Sequence, residues 1–471
     1  MSGNKMVRLP IAATSGCRRG VRMKQRLRLG IVIGLALAYP WLTVPIFAAC
    51  CGDTSKSDLG DAEQLKPPFD YEHNVTGDWF GLRNTLYNYG LEITGSYTTE
   101  PAGNPSGGLE RGETYLDNFG FAFLFDFDKI FGLSETTFLV TISQRTGRSL
   151  SADFIGNAIS VQQIFGGGET FRLVQMRLDQ KFLDDRLELI YGRLSTTADF
   201  MTSQFYCQFV TNGICGQPTA PFFNMPNGLT AYPGATWGTV AQFNSTKEIY
   251  EKFGVYDGDP NHGYDRHGAN FNFGENGALF LAEVGYKSSN GLLGMPCRYS
   301  LGGFHHTGDF PDVAEDSHLN NLFISGRPAR LHSGQSGFYL VFEQMLLRNP
   351  GRPETGLNAF TTFVVSPDEQ ESAMPYFFNG GLIYEGLIPS RPNDKTALGF
   401  YSTIFSEDLR SAERAAGLPS QTSETDIELN HQLQINQWLY FKPNLQYVIK
   451  PNGLDTINSA FVAGLEIGLT F

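Results

Sequence analysis

The densest group of potential metal ligands in this chain is the pair His305-His306, with Asp309 and His318 shortly after it. Histidine nitrogens and carboxylate oxygens can bind zinc, but a zinc site brings three or four ligands together at recognisable spacing. The intervals here match no such pattern, and the residues fall in or near a loop. The sequence therefore favours a solvated loop, and no metal ion or other cofactor is predicted.

Two cysteines, Cys207 and Cys215, enclose a short segment in which Asn212-Gly213 supplies a turn. A turn of this kind brings the two ends of the segment close together. In an oxidising compartment the spacing favours a disulfide between Cys207 and Cys215, with two free thiols as the alternative. Neither the spacing nor nearby histidines support a metal site at these cysteines.

No grouping of side chains suits catalysis. Covalent catalysis needs a nucleophile and a base within reach of each other, and no such constellation is recognisable. The run Gly166-Gly167-Gly168 follows no strand-to-helix phosphate motif and is interpreted as a turn. Carboxylate pairs are easily chosen among 48 acidic residues, so they do not indicate a glycosidase. The sequence predicts that the protein is not an enzyme.

Two glutamates occupy strands with alternating polarity. Glu343 lies between the apolar residues Val341 and Met345, and Glu466 is the one acidic residue on its face of the last strand. If these strands form the wall of a channel, both carboxylates point into its interior. Interior walls of barrels are polar as a rule, so this position alone does not make either glutamate a solute contact.

The strands themselves have the pattern of a membrane barrel. In residues 459–471 every second position from Phe461 to Phe471 is apolar, and the residues between are mostly small or polar. Successive strand side chains point to opposite faces, so one face is continuously apolar. A second strand alternates five phenylalanines with small, apolar or acidic residues: Phe119, Phe121, Phe123, Phe125 and Phe127. A soluble protein would need another layer to cover these rings, whereas a bilayer covers them directly.

Short and long connections alternate along the chain. Asp184-Asp185 forms a tight polar turn, while residues 217–234, 257–277 and 307–337 are long stretches rich in Gly, Pro, Asn and Asp. This spacing predicts an all-β fold: a transmembrane antiparallel β-barrel of about 16 strands, large enough to enclose an aqueous channel. Residues 77–90 precede the first strand and have the caps and spacing of a short helix. The barrel with this helix spans residues 77–471.

The amino terminus has the features of an export signal. Residues 1–49 contain eight basic and no acidic residues, then an apolar run and small residues at Ala48 and Ala49. Cleavage is favoured over a retained anchor, and lipidation at Cys50 is a minor alternative. Removing eight positive charges from a net charge of −13 leaves the mature chain at −21, which argues against nucleic acid. Residues 50–76 are expected to form a periplasmic lead-in.

Several segments in order along the mature chain resemble the carbohydrate-selective porins of the OprB family. They are GDWFGLR at 77–83, LEITGSYTTEPAGNPSGG at 91–108, the segment 191–216, YPGATWGT at 232–239, KFGVYDGDPN at 252–261 and GLIPSRPNDKTALGF at 386–400. The resemblance implies a 16-stranded outer-membrane barrel that passes sugars by diffusion. This sequence departs from the family pattern at Phe80-Gly81, where two glycines are usual. A phenylalanine near a constriction would change the width of the pore.

The resemblance also nominates residues that line the pore. A sugar channel needs charged and amide groups that replace water around hydroxyls, and aromatic rings that stack on a pyranose. The candidates from the matching motifs are Trp79, Arg83, Arg193, Asp199, Arg391 and Asp394, and Glu343 is added from its position in an alternating strand. For Trp79 the alternative is packing of the helix against the wall, and for the charged residues it is a structural ion pair.

The expected function is passive diffusion of monosaccharides, with disaccharides as a second class, through an outer-membrane porin of a Gram-negative bacterium. A general diffusion porin and a secreted soluble all-β sugar-binding protein are the alternatives. The acidic balance suits neutral or cationic solutes. Expected partners are outer-membrane lipid and the barrel-assembly machinery, which would engage the last strand ending at Phe471. Both a monomer and a trimer are compatible with the sequence.

Overall fold

The computed structural model describes residues 73–166, 169–216, 218–225, 229–259, 267–268 and 277–471. The predicted signal peptide and the lead-in up to residue 72 lie outside these ranges, as does part of the glycine run at 166–168. Among the described residues, no helix is both long enough and apolar enough to cross a membrane.

Eighteen strands make up one antiparallel sheet. They are β1 (Leu91–Thr99), β2 (Ala102–Gly108), β3 (Gly112–Thr114), β4 (Leu116–Asp126), β5 (Thr136–Gly147), β6 (Phe171–Phe182), β7 (Leu187–Leu194), β8 (Thr236–Phe243), β9 (Ile249–Asp257), β10 (Ala278–Ser288), β11 (Cys297–Asp316), β12 (Ala329–Asn349), β13 (Arg352–Val365), β14 (Tyr376–Glu385), β15 (Lys395–Ile404), β16 (Ser423–Asn436), β17 (Leu439–Ile449) and β18 (Asn458–Thr470).

The sheet closes on itself. Strand β1 pairs with β4 over its whole length and with β18 from Ser96 to Thr99, so the first and last strands meet at a seam. The short strands β2 and β3 form a hairpin between β1 and β4, and β2 continues β1 by pairing with the earlier part of β18, residues 458–464. The wall therefore has sixteen strands, β1 and β4 to β18, which confirms the predicted antiparallel barrel of about 16 strands.

The two faces of the wall differ as the alternation predicts. On β12, Phe338 and Phe342 are exposed, whereas Tyr339, Val341 and Glu343 are buried. On β4, Phe119 and Phe121 are likewise exposed. A strand places neighbouring residues on opposite faces, so the exposed rings point outward and the buried groups point inward. The outer face carries the rings that a bilayer covers.

Connections at the two ends of the barrel differ in length. The end that holds both the first helix and the end of β18 has tight turns, such as 183–186, 350–351 and 437–438. The opposite end has long loops, including 148–170 and 195–235. Barrels of this class have short periplasmic turns and long extracellular loops, which identifies the two ends. The predicted loop 307–337 is shorter than expected, because β11 and β12 continue past the apolar band as polar strands to Asp316 and from Ala329.

Short helices lie at or near the ends of the strands. They are α1 (Leu82–Asn88), α2 (Phe127–Phe131), α3 (Thr196–Asp199), α4 (Ala220–Asn224), α5 (Leu322–Ser325) and α6 (Glu407–Ala415), with 3-10 turns at Trp79–Gly81, Tyr206–Gln208, Leu292–Gly294 and Pro451–Gly453 and a π turn at Ser151–Ile155. Helix α1 lies within the predicted span 77–90. It ends before Gly90, whose φ of +90° lies in the left-handed region that glycine adopts easily.

Candidate functional site

The interior of the barrel is narrowed by a segment of the loop after β7, residues 195–216. Interior-facing side chains from many strands bind this segment. At its start, the Arg177 guanidinium on β6 lies 2.8 Å from a carboxylate oxygen of Asp199 and 2.7 Å from one of Asp179. The Lys252 ammonium on β9 donates to the Asp199 carbonyl at 2.8 Å. The loop therefore begins its path against β6 and β9.

The next contacts come from β11 and β12. Arg298 donates to the carbonyl and the hydroxyl of Thr202, both at 2.9 Å. The Glu343 carboxylate accepts from the backbone N–H of Gln204 at 3.2 Å and from its side-chain amide at 3.1 Å. Arg298 and Glu343 also lie 3.4 Å apart. One ion pair on the wall thus holds two points of the loop.

The disulfide-containing part of the loop is bound by the opposite strands. Cys207 and Cys215 are paired, with their Cα atoms 4.4 Å apart. Lys442 donates to the Cys207 carbonyl at 3.1 Å and to Glu466 at 2.8 Å. The Glu428 carboxylate accepts from the backbone N–H groups of Val210 and Thr211 at 2.8 to 3.0 Å. Asn379 on β14 donates to the carbonyl of Gly213 at 3.0 Å.

A second inward segment, residues 148–166, adds to the first. The Glu424 carboxylate on β16 accepts from the backbone N–H groups of Ala158 at 2.7 Å and Ile159 at 3.0 Å. The two segments also bind each other, because Asn212 N–H donates to Ser160 O at 2.9 Å and Gln163 N–H donates to Val210 O at 2.8 Å. Together they form a layer inside the barrel.

Burial makes these contacts strong. Glu424, Glu428 and Glu466 are fully buried, and Lys442 is 1% exposed. A hydrogen bond to a charged group contributes about 1.5–3 kcal/mol, and a buried amide left without an acceptor costs about 1–3 kcal/mol. The inward layer is therefore held by many contacts that are each costly to break.

A separate group of side chains lies on the interior face of β4 and β5. Arg145 lies 5.3 Å from the centre of the Tyr232 ring and donates to Asn118 Oδ1 at 3.2 Å. Gly120 points inward between outward phenylalanines, and a Cβ there would lie 3.5 Å from the Tyr232 hydroxyl. The same Cβ would lie only 2.9 Å from the Ser96 hydroxyl, so glycine at position 120 lets Ser96 and Tyr232 pack closely against β4. The group combines a guanidinium, an amide and an aromatic face, the types of group that bind sugars.

The sequence candidates fall in different places. Asp199 and Glu343 both bind the inward loop. Arg193 is fully buried on β7. Arg391 and Asp394 lie in the periplasmic turn before β15 and form a 2.7 Å ion pair, with Asp394 also accepting from Gln434 N–H at 3.0 Å. This ion pair stabilises a periplasmic turn, and none of its described contacts is with the inward layer.

The residues of the first motif lie at the periplasmic end. Arg83 is 2% exposed and its guanidinium carbon lies 4.5 Å from the centre of the Trp79 ring. It donates to the carbonyls of Ile93 at 2.8 Å and Gly77 at 3.0 Å. The Phe80 side chain is fully exposed, and none of the described contacts joins it to the inward layer.

The histidine pair is occupied by hydrogen bonds to the protein. His306 Nε2 lies 3.0 Å from the carbonyl of Gly258, and its Nδ1 accepts from Gly308 N–H at 2.9 Å. His305 Nδ1 lies 2.8 Å from the Ser336 hydroxyl. Within the described ranges, no group of three or more His, Cys, Asp or Glu residues is arranged to hold a metal ion.

Sequence reasoning missed several wall residues that bind the inward layer: Arg177, Arg298, Glu424, Glu428 and Lys442. Each occupies an inward position on a strand, so a register drawn through the neighbouring apolar residues would have marked it as interior. The sequence holds no indication of the loop atom that each one binds, because those atoms are mostly backbone groups far away along the chain.

An extracellular loop, residues 366–375, carries a carboxyl group whose ionisation affects stability. Burial, with Asp368 nearby, raises the pKa of Glu371 to about 7. In an unfolded chain this pKa is about 4.3, so the folded protein holds the proton more tightly. This contribution to stability is complete below about pH 4 and is lost as pH rises through about 7.

We expect Glu371→Gln to remove this dependence. Thermal unfolding of the variant should match that of the native protein near pH 4 and exceed it at pH 8, because only the native residue must then hold a buried charge. Glu354→Gln, at an exposed position on β13, is the control and should leave the difference between the two pH values unchanged. Equal pH dependence in the native protein and Glu371→Gln would contradict the assignment.

A closed sixteen-stranded antiparallel barrel, apolar outside and narrowed by inward loops, defines an outer-membrane porin. The profile of the carbohydrate-selective porin family OprB matches residues 110–471. The chain is 28% identical over 423 residues to Porin B of Pseudomonas aeruginosa, covering 84% of this chain and 91% of that protein. It is also 28% identical over 430 residues to the putative porin QuiX of Acinetobacter baylyi, covering 84% and 93%.

A solved structure agrees with these sequence matches. The high-pH structure of Pseudomonas putida OprB is 28% identical, covers 85% of this chain and 99% of its own, and superposes with a TM-score of 0.80. The chain belongs to the OprB family of carbohydrate-selective porins. It is therefore an outer-membrane channel for the diffusion of sugars, which confirms the expected class of protein and its place in the outer membrane of a Gram-negative bacterium.

Proposed function

We propose that this porin passes monosaccharides, and disaccharides as a second class, through a constriction formed by the inward layer. The observation that supports this is the chain of contacts from Asp199 to Gly213, which fixes one loop against seven strands of the wall. A fixed loop keeps its side chains and backbone groups at constant positions, so it can select solutes by shape and hydrogen bonding as well as by size.

The roles of the sequence candidates follow from their contacts. Asp199 and Glu343 position the constriction by holding the loop. Arg391 and Asp394 stabilise a periplasmic turn. Trp79 and Arg83 stabilise the barrel seam. Arg193 is a buried wall residue of β7.

The sugar contacts that we propose are Arg145, Asn118 and Tyr232. The half-buried Tyr232 ring offers a flat face for the apolar side of a pyranose. Arg145 is 7% exposed and also binds Asn118 and the Gly166 carbonyl, so a sugar hydroxyl contacts this guanidinium by replacing one of these hydrogen bonds. No net charge on the sugar is required by this arrangement. It suits neutral sugars, in keeping with passive diffusion.

We expect Arg145→Ala to weaken sugar binding. Loss of one charged donor removes roughly 1.5–3 kcal/mol of hydrogen bonding, which corresponds to a tenfold or greater rise in the sugar concentration that half-blocks the current. The measurement is block of single-channel current by glucose in planar bilayers. Arg330→Ala is the matched control, because this side chain is 45% exposed and pairs with Glu315 where β11 and β12 continue as polar strands at the extracellular end. Unchanged block in Arg145→Ala would remove the residue from the sugar path.

The disulfide is expected to form in the exported protein. Tryptic peptide 194–247 contains both cysteines, and without reduction it should carry no alkyl group at Cys207 or Cys215. Cys297, which is buried and free, should be alkylated only after unfolding. Two separately alkylated cysteines at positions 207 and 215 would show that the loop closes without a covalent link.

The proposed function is tested by transport through the purified mature protein. Liposome swelling with glucose, a disaccharide, an amino acid of similar size and salt measures the selectivity. Faster entry of sugars than of size-matched solutes supports the sugar channel. Entry ordered by size alone would make the protein a general diffusion porin. A reversal potential in a salt gradient would test the weak cation preference expected from the acidic composition.

The route to the membrane is also part of the proposal. Residues 1–49 act as a cleaved signal peptide, residues 50–76 form the periplasmic lead-in, and the last strand ending at Phe471 engages the assembly machinery. N-terminal sequencing of the outer-membrane protein locates the cleavage site and detects a lipidated Cys50. Mass measurement in mild detergent distinguishes a monomer from a trimer.

A further inference from the structure

The turn before α1 holds two large side chains in a conformation that favours glycine. Trp79 has a φ of +50° and Phe80 a φ of +59°, and both lie between glycines with positive φ, Gly77 and Gly81. The Trp79 ring contacts Arg83, but the Phe80 side chain is 111% exposed relative to its reference value. A strained backbone that presents a fully exposed aromatic ring calls for a function outside the fold of the chain itself.

Phe80 belongs to a larger exposed surface at the periplasmic end, which we call the periplasmic apolar patch. Its members are Phe80, Leu82, Tyr89, Ile130, Phe131 and Leu133, exposed by 37 to 111%. Helices α1 and α2 carry three of the six, and the others flank these helices. The two helices are joined because Lys129 donates to the Tyr87 carbonyl at 3.1 Å and lies 3.9 Å from the centre of its ring. The patch is therefore one surface built from two elements.

This surface continues the lipid-facing side of the barrel without a break. The outward phenylalanines of β4 lead into α2, and the rings of Phe125 and Phe127 lie 6.2 and 6.0 Å from that of Phe138 on β5. Phe127 then contacts Phe131 at 5.1 Å. A row of aromatic rings runs from the lipid-facing side of the barrel into the patch, so we expect lipid to cover both surfaces.

We propose that the periplasmic apolar patch inserts into the inner leaflet of the outer membrane as an interfacial anchor. Short helices with an exposed apolar face and a nearby cation lie in the headgroup region of bilayers, where rings are buried and ammonium groups reach the phosphates. Lys129 occupies that position beside the patch. The anchor fixes the depth of the seam, where β1 and β18 meet, relative to the membrane.

The first test places a fluorescent reporter in the patch. In the mature chain, Trp79→Phe, Trp237→Phe and Trp438→Phe are combined with Phe80→Trp, which leaves one indole at position 80. The protein is reconstituted in phosphatidylcholine vesicles with and without bromine on the upper acyl carbons. We expect bromolipid to quench the emission several-fold more than aqueous acrylamide does. Strong quenching by acrylamide with none by bromolipid would overturn the anchor and assign the patch to a periplasmic partner.

The second test uses the strain in the backbone. Phe80→Gly relieves the strain of the left-handed conformation. If Phe80 made no contact with lipid, the variant would therefore be more stable than the native protein. If Phe80 inserts into the lipid as proposed, Phe80→Gly should instead unfold in vesicles at a lower urea midpoint than the native protein. Leu319→Gly is the matched control, because Leu319 has a φ of +63°, is 63% exposed and lies at the extracellular end. Equal stabilisation by both substitutions in vesicles would overturn the proposal.

Discussion

Replacing Glu428 with alanine should raise the single-channel conductance and abolish current block by sugar. The Glu428 carboxylate is the acceptor for two adjacent loop N–H groups, those of Val210 and Thr211, and it is fully buried. Each amide left without an acceptor costs about 1–3 kcal/mol, so the inward loop loses roughly 4 kcal/mol of support beside the disulfide. A loop released at this point can leave the wall, because local openings need far less free energy than unfolding of the barrel.

Two further variants separate loss of the contact from loss of charge. Glu428→Gln keeps one oxygen acceptor and should give an intermediate conductance. Asp312→Asn is the control for a buried carboxylate, because Asp312 on β11 is 3% exposed and its described partners are His332, Ala314 and Glu315, all outside the inward layer. We expect its conductance and sugar block to stay close to native values.

The outcome that contradicts this account is a native conductance and a native sugar block in Glu428→Ala, in protein that folds and inserts normally. The constriction would then be independent of the inward loop at Val210. A matching change in Asp312→Asn would show that loss of a buried charge, and not of the loop contact, controls the current.

The barrel was predictable because it depends on a local pattern. The phenylalanine row of β4 and the alternation of β18 each specify a strand with one lipid-facing side, and the bilayer makes the same demand of every strand. The lengths of the connections then distinguish the two ends. The number of strands follows from the chain length that remains, which is why the estimate of about 16 was close.

The constriction was not predictable in the same way. Val210 binds Glu428, which lies 218 residues further along the chain, and Gln204 binds Glu343 across 139 residues. The alternation of apolar and polar residues predicts that Glu343 and Glu428 point inward. It does not indicate which loop N–H groups these carboxylates bind. Asp199 was a candidate on its motif, whereas its partner Arg177 lies on another strand and shows no distinguishing feature in the sequence.

Arg83→Ala should weaken the barrel without changing its selectivity. Strand β18 pairs with β1 only from Ser96 upward, and its last backbone hydrogen bonds, between Phe471 and Gly95, are 2.7 and 2.9 Å long. The next carbonyl on the same edge of β1 is that of Ile93, beyond the reach of β18. Arg83 donates to this carbonyl at 2.8 Å, so its guanidinium continues the seam where the last strand ends.

The expected loss is about 3 kcal/mol in the free energy of unfolding, since two hydrogen bonds from a charged donor, to Ile93 and Gly77, are removed. Arg83→Lys should lose about half as much, because an ammonium cannot hold both carbonyls in the fork geometry of a guanidinium. Urea unfolding in vesicles measures the loss, and glucose block of the current in the same preparations measures selectivity. A native stability with a changed glucose block would place Arg83 in the sugar path and end its assignment to the seam. A lower stability with native block would show that closure of the barrel between β1 and β18 depends on a side chain from outside the sheet.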